Sequence, residues 1–147
     1  MSMVDVTEKP EVYREATAKG LIRLKAETIK LIKEGKIEKG DPFYAAKIAG
    51  ILAAKRTSAL IPLCHPLPLT DVEISMETVG FSWVEVSATV KTRAQTGVEM
   101  EALVAVTTAL LTIWDMTKQY EKDEEGQYPY TLIQNVHVAS KVKGKSE

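Results

Sequence analysis

The chain has 147 residues, 45% hydrophobic and 27% charged, with 19 lysines and arginines against 20 acids for a net charge of -1. That size suits one globular domain with its own core, and the charge balance excludes a general binder of nucleic acid or acidic membrane, which needs a basic excess. One cysteine cannot close an internal disulfide, and the first thirteen residues lack the apolar run of a secretory signal, so the expectation is a cytoplasmic protein.

In chain order, Val12, Arg14, Ala16, Ala18, Ile22 and Leu24 alternate with Tyr13, Glu15, Thr17, Lys19 and Arg23. This is the period of a half-buried strand, with Arg14 out of place on the apolar side. A short helix over 26–34 stops at Gly35. Gly40-Asp41-Pro42 starts a second helix, running to about residue 57: Asp41 accepts from the first free amides and Pro42 suits the first helical position. Three prolines between 62 and 68 then forbid a helix and hold Ile61, His65 and Leu67 extended.

Val72, Ile74 and Met76, and beyond Gly80 the residues Val84, Val86, Ala88 and Val90, alternate with polar neighbours, which predicts an antiparallel hairpin. A long helix covers 97–122, with Gly126 and Pro129 at its exit. Val136, Val138 and Val142 alternate with His137, Ala139 and Lys141 in a last strand. The order βαββαβ predicts a ferredoxin-like α+β fold, an antiparallel four-stranded sheet with helices packed on one face. No repeat or linker divides the chain, so the expectation is one domain over 1–147, with 1–10 and 143–147 flexible.

The long helix is the most informative stretch. Residues 102–114 carry no charge, while Glu99 and Glu101 precede them and Asp115, Lys118 and Lys122 follow. A helix apolar around most of its circumference belongs between two layers, and thirteen uncharged residues fall short of the roughly 20 that cross a bilayer. Leu103, Val106, Leu110, Ile113 and Trp114 share one stripe, and Val104 and Leu111 lead into Asp115, Lys118 and Lys122 on the next sector. That sector is either a surface ion-pair ladder or a charged site. Thr96 and Glu99 fit a capping box, leaving Glu101 free for other work. Glu101 and Asp115 stand about 21 Å apart along the axis, too far for one small substrate to touch both. If both are catalytic, the chain either carries two sites or shares each with a neighbouring subunit.

His65 sits in a stiff frame, either as a structural histidine or as a proton-transfer or ligand-binding group. Cys64 beside it should point the other way, which discourages a Cys–His nucleophile. One Cys and two His do not make a zinc site. Lys39, Lys55 with Arg56, Lys118, Lys122, and Lys141, Lys143 and Lys145 fall at element ends. They are either solvated or, where several converge, a cradle for a polyphosphate, since no glycine-rich phosphate loop is present.

Three of these segments resemble one family. Pro62-Leu63-Cys64-His65-Pro66-Leu67, Gly97-Val98-Glu99-Met100-Glu101-Ala102-Leu103, and Asp115-Met116-Thr117-Lys118 with Lys122-Asp123 are similar to molybdenum cofactor biosynthesis protein C, the cyclic pyranopterin monophosphate synthases. Further matches are Met3-Val4-Asp5-Val6, Arg14-Glu15-Ala16, Lys39-Gly40-Asp41 and Ala53-Ala54-Lys55-Arg56-Thr57. The family's glycine-rich ending is replaced here by Ser140-Lys141-Val142-Lys143-Gly144-Lys145-Ser146. The resemblance implies a lyase in a homohexamer, a trimer of dimers with sites at subunit interfaces. Its substrate is a cyclised dihydro-GTP, converted to cyclic pyranopterin monophosphate with release of diphosphate.

On that footing Asp115 and Lys118 form the acid–base pair, because a lysine partly withdrawn from water releases its proton more readily. His65, Glu99 and Glu101 orient the ring, with Leu63, Cys64 and Met100 beside them. Lys39, Lys55, Lys122, Arg14 and the tail lysines hold the triphosphate. No metal or cofactor is required, although Mg²⁺ can accompany the triphosphate. Three rival readings remain: a nucleotide-sensing module without turnover, a hydrolase using Cys64, and an interaction scaffold.

Overall fold

The computed structural model describes residues 1–144, and the end expected to be flexible falls mainly on 145–147, which with Lys145 lie outside the described residues. The elements are β1 (Val12–Arg23), α1 (Ala26–Lys33), α2 (Pro42–Ala54), α3 (Thr57–Leu60), β2 (Leu69–Val79), β3 (Trp83–Ala94), α4 (Glu99–Glu121) and β4 (Leu132–Lys143). The strands form one antiparallel sheet in the order β2-β3-β1-β4. With helices on a single face, this is the expected α+β architecture.

The alternation in the sequence decides which face is covered. Ala16, Ala18 and Ile22 of β1 and Val84, Val86, Ala88 and Val90 of β3 are fully buried, against Ala102, Ala105, Val106, Ala109, Leu110 and Ile113 of α4. The outer face is held by cross-strand polar pairs. Thr17 and Thr89, directly opposite, share a hydrogen bond of 2.8 Å, and Lys19 meets Glu85 diagonally at 3.8 Å. The Arg23 guanidinium lies 4.4 Å from the Tyr130 ring centre.

Two glycines set how closely α4 approaches its neighbours. A Cβ on Gly20 would stand 2.7 Å from a Leu110 methyl and 3.0 Å from Val106, so β1 is bare where the helix crosses it. A Cβ on Gly50 would collide with Ile74 and come within 3.1 Å of the Ala105 carbonyl. Small residues therefore line both sides of the α2–α4 contact, Ala46, Gly50 and Ala53 against Ala102, Ala105 and Ala109.

Several boundaries differ from the expectation. Asp41 caps α2 as predicted, accepting from Phe43 and Tyr44, but α2 ends at Ala54 and a separate turn, α3, follows. Thr57 there returns its hydroxyl to the Ala54 carbonyl at 2.9 Å. The last strand begins four residues earlier than predicted, and its register against β1 slips twice, with Asn135 at φ 57°. Past the bulges Val142 pairs with Glu15 on the outer face and stays exposed, whereas Val136 lies against Gly20 on the helix side and is exposed only at the open sheet edge. By length and composition α4 is apolar enough to cross a membrane, with 23 residues and a mean hydropathy of 1.3 over its best window. The case against a span is therefore packing rather than length, since the chain's own layers cover its alanine face.

The far end of α4 is locked by a carboxylate. Glu121 is fully buried and accepts from the Lys25 amide at 3.1 Å, the Thr131 hydroxyl at 2.6 Å and the Thr28 hydroxyl. It thereby caps α1, which has no side-chain cap of its own, and ties it to the entrance of β4. Glu121→Ala strands these donors away from water and should cost about 3 kcal/mol or more. Glu121→Gln, which keeps one acceptor, should lose less. Urea unfolding of the two variants against the parent measures both.

A candidate active site at the two ends of α4

At the N-terminal end, the proline-rich segment after α3 lies against the first turn of α4. Together they line a cleft of about 310 Å³ with Leu63, Cys64, His65, Thr96, Gly97, Glu99 and Met100. Five of the predicted substrate-binding residues thus meet in one place. The expected capping box does not form. Val98 is the N-cap without a side-chain bond, and Glu99 turns to the Lys141 ammonium at 2.8 Å instead. Burial alone would raise the Glu99 carboxyl, but the hydrogen bond from Lys141, with the charges of Lys141 and Arg14, brings it below the usual carboxylate range. Arg14 belongs to this cluster because it faces the helix side of β1. Its Nη2 donates to the Gln95 carbonyl at 3.4 Å, and its buried Nε has no partner among the described residues.

Glu101 lies behind Cys64, only 3% exposed. The Cys64 thiol is 4.0 Å from Glu101 Oε2, and Glu101 Oε1 is buried without a partner. Burial pushes the Glu101 carboxyl above its ordinary range, and the negative charge of Glu99 adds to this. The result is a carboxyl that holds its proton to higher pH than a free one. Burial likewise pushes the Cys64 thiol up, Glu101 contributing, which disfavours the thiolate that a cysteine hydrolase needs. The His65 imidazole turns elsewhere, its Nε2 standing 2.7 Å from the Val4 carbonyl.

At the other end Asp115 stands between two ammonium groups. Lys118, one turn along, is 3.2 Å from Oδ1, and Lys39 is 3.4 Å from Oδ2 and 3.0 Å from the Asp115 carbonyl. First Lys118 and then Lys39 hold the exposed carboxyl below the usual range. Lys39 is brought there by the loop between α1 and α2. The Glu38 amide donates to the Tyr120 hydroxyl at 2.8 Å, and Gln119 donates to the Glu38 carboxylate at 2.8 Å. Beside this cluster a cleft of about 400 Å³ is lined by Leu111, Trp114, Asp115, Lys118, Tyr128 and Ile133.

Within one chain the residues expected to hold the triphosphate do not converge. Lys39 joins Asp115 and Lys118, and Lys122 follows as the exposed C-cap of α4. Arg14 sits with Glu99, and Lys55 lines a third cleft with Asp71 and Thr70. Reading the sequence did not single out Lys141 from the other tail lysines, and it missed Tyr120 and Tyr128 altogether. The register Ala16↔Lys141 carries Lys141 to Glu99, and nothing local signals it. Among the described residues no group of three His, Cys, Asp or Glu side chains could hold a metal ion.

A ferredoxin-like chain with ionisable clusters at both ends of one buried helix defines an α+β scaffold carrying the kinds of group that acid–base chemistry uses. The chain belongs to the MoaC family, whose model matches residues 3–144, and it is an enzyme of molybdenum cofactor biosynthesis. It is 60% identical to a Pyrococcus horikoshii protein over 97% of this chain and 89% of that one. It is 58% identical to a Pyrococcus furiosus protein over 97% and 91%, and 54% identical to one from Saccharolobus solfataricus over 97% and 95%. Each of the three is named a probable cyclic pyranopterin monophosphate synthase.

The raised Glu101 carboxyl has a consequence for stability. The folded protein holds this proton to higher pH than the unfolded chain, so above the ordinary value of 4.5 ionisation favours unfolding. Below that pH both states hold the proton and the penalty is absent. Glu101→Gln should therefore be at least as stable as the parent at pH 7, with the advantage shrinking as the pH falls through the carboxylate range. Urea unfolding at pH 7 and at pH 4 checks the sign.

Proposed function

We propose that this chain is a cyclic pyranopterin monophosphate synthase acting on a cyclised dihydro-GTP and releasing diphosphate, with each site built where two subunits meet. The observation that carries the reading is the Lys39–Asp115–Lys118 cluster at one end of α4, with the buried Glu101, its carboxyl raised above the usual range, at the other. The two ends are about 21 Å apart along the axis, so one substrate reaches both kinds of group only if a second chain supplies one of them. A hexamer built as a trimer of dimers satisfies this, and the names of the relatives support the reaction.

In this reading Asp115, kept ionised by its two lysines, orients the Lys118 ammonium, and Lys118 gives and takes protons on the substrate ring. Glu101 supplies a proton at the opposite side of the site, with His65 and Glu99 orienting the ring beside Leu63, Cys64 and Met100. Lys39 exchanges its contact with Asp115 for phosphate oxygens, with Lys122 and Arg14 adding charge and Lys55 reaching in from an adjoining chain. This chemistry asks only for proton transfer and charge neutralisation. No resident metal or redox group is needed, and Mg²⁺ can enter with the triphosphate. A cytoplasmic location follows from the same reading.

Incubation with the cyclised intermediate should yield diphosphate and the pterin product. Lys118→Ala should lower turnover by about 10²–10⁴-fold, the usual worth of a general acid or base, with circular dichroism and gel filtration unchanged. Near-normal activity in that variant overturns the assignment. Co-expressing Lys118→Ala with Glu101→Ala should restore about a quarter of parental turnover, because each interface draws one end from each of two chains. No restoration in mixed oligomers would place both clusters' work within one subunit.

A further inference from the structure

The cleft beside Asp115 and Lys118 is not lined as a phosphate site would be. Leu111, Trp114, Tyr128 and Ile133 make most of its wall, and Leu111 is 55% exposed. Trp114 and Tyr128 are both half-buried, with ring centres 5.1 Å apart and planes tilted by 59°. A bare triphosphate gains nothing from such surfaces. A flat ring with apolar faces and polar edges gains from both kinds.

The aromatic pair is also firmly held. Trp114 precedes Asp115 directly and lies one turn before Lys118 on the same helix face. Tyr128 comes from the α4–β4 loop, which closes on itself. The Asp123 carboxylate accepts from the amides of Glu125 and Gln127 at 2.9 Å each, the Asp123 amide donates to the Gln127 carbonyl at 2.9 Å, and Gly126 turns at φ 77°. The loop's own hydrogen bonds therefore help fix where Tyr128 stands, beside Ile133 of β4.

We infer that Trp114 and Tyr128 form the wall on which the fused ring of the GTP-derived substrate lies while Asp115 and Lys118 act at its edge, so that this pair selects a nucleotide over a plain polyphosphate. The inference rests on the proposed synthase reading. It goes beyond that reading in naming two specificity-determining residues outside the charged clusters.

Replacing Trp83 by Phe leaves Trp114 as the sole tryptophan. Titration with GTP should quench its emission saturably, whereas inorganic tripolyphosphate should not. Equal responses to the two probes, or none to GTP, overturn the wall. With the cyclised intermediate, Trp114→Leu should raise KM about tenfold or more, the scale of losing a base–aromatic stack. Its kcat should stay within about threefold, because the contact is made in ground and transition states alike. Trp114→Phe should recover most of the loss, and Tyr128→Leu should move KM in the same direction even where Trp114→Leu does not fold. An unchanged KM in a folded Trp114→Leu or Tyr128→Leu protein that still releases diphosphate overturns the wall and leaves the synthase reading standing. Absence of diphosphate release from the parent protein defeats both.

Discussion

Everything functional in this molecule depends on how closely α4 can lie against the sheet and against α2. That closeness exists because Gly20 and Gly50 offer no side chain at the two crossings, and because alanines fill the remaining contact. Interiors pack at crystal density, so a helix seated this tightly has one position and one rotation. Glu121 then fastens the far end through donors from α1 and from the entrance of β4. The helix can therefore carry ionisable groups at both tips without those groups being needed to hold it.

The two tips are electrostatically unlike. Asp115 is exposed and kept charged by lysines on either side, so it titrates below the usual range. Glu101 is enclosed and one of its oxygens lacks a partner among the described residues, and burial raises its carboxyl above the usual range. Pairs of carboxyl groups driven in opposite directions by their surroundings are a recurrent means of assigning base and acid roles at a single pH. Here the separation along α4 adds a condition to the proposed reading, in which the two roles meet across a boundary between chains.

Much of this was legible in the residues themselves. Alternation marked β1, β2 and β3 because each turns one face to the helices, with Arg14 breaking the pattern in β1, and Gly40-Asp41-Pro42 marked α2 through local chemistry alone. The charge-free run in α4 with ionisable ends marked the site, and the clustering of Leu63 to His65 with Glu99 and Met100 followed the resemblance. What escaped was set by distant partners. Glu99 satisfies a local capping pattern, yet Lys141, 42 positions later, holds it instead. The bulges of β4 shift the inward-facing set in a way that no alternation rule anticipates. Tyr120 lies on α4 and matters only because the α1–α2 loop returns to its hydroxyl, and Tyr128 is placed by a loop whose hydrogen bonds leave no periodic signal.

The unbroken course of α4 also bears on which changes in the gene the protein can absorb. Each helical residue adds about 1.5 Å and turns the chain by roughly 100°. One codon gained or lost between Glu101 and Asp115 would therefore swing one tip away from its neighbours and carry the alanine seam off the two bare glycines. Side chains on the exposed flank, such as Thr107, can drift, but the span beneath them is held to a fixed count.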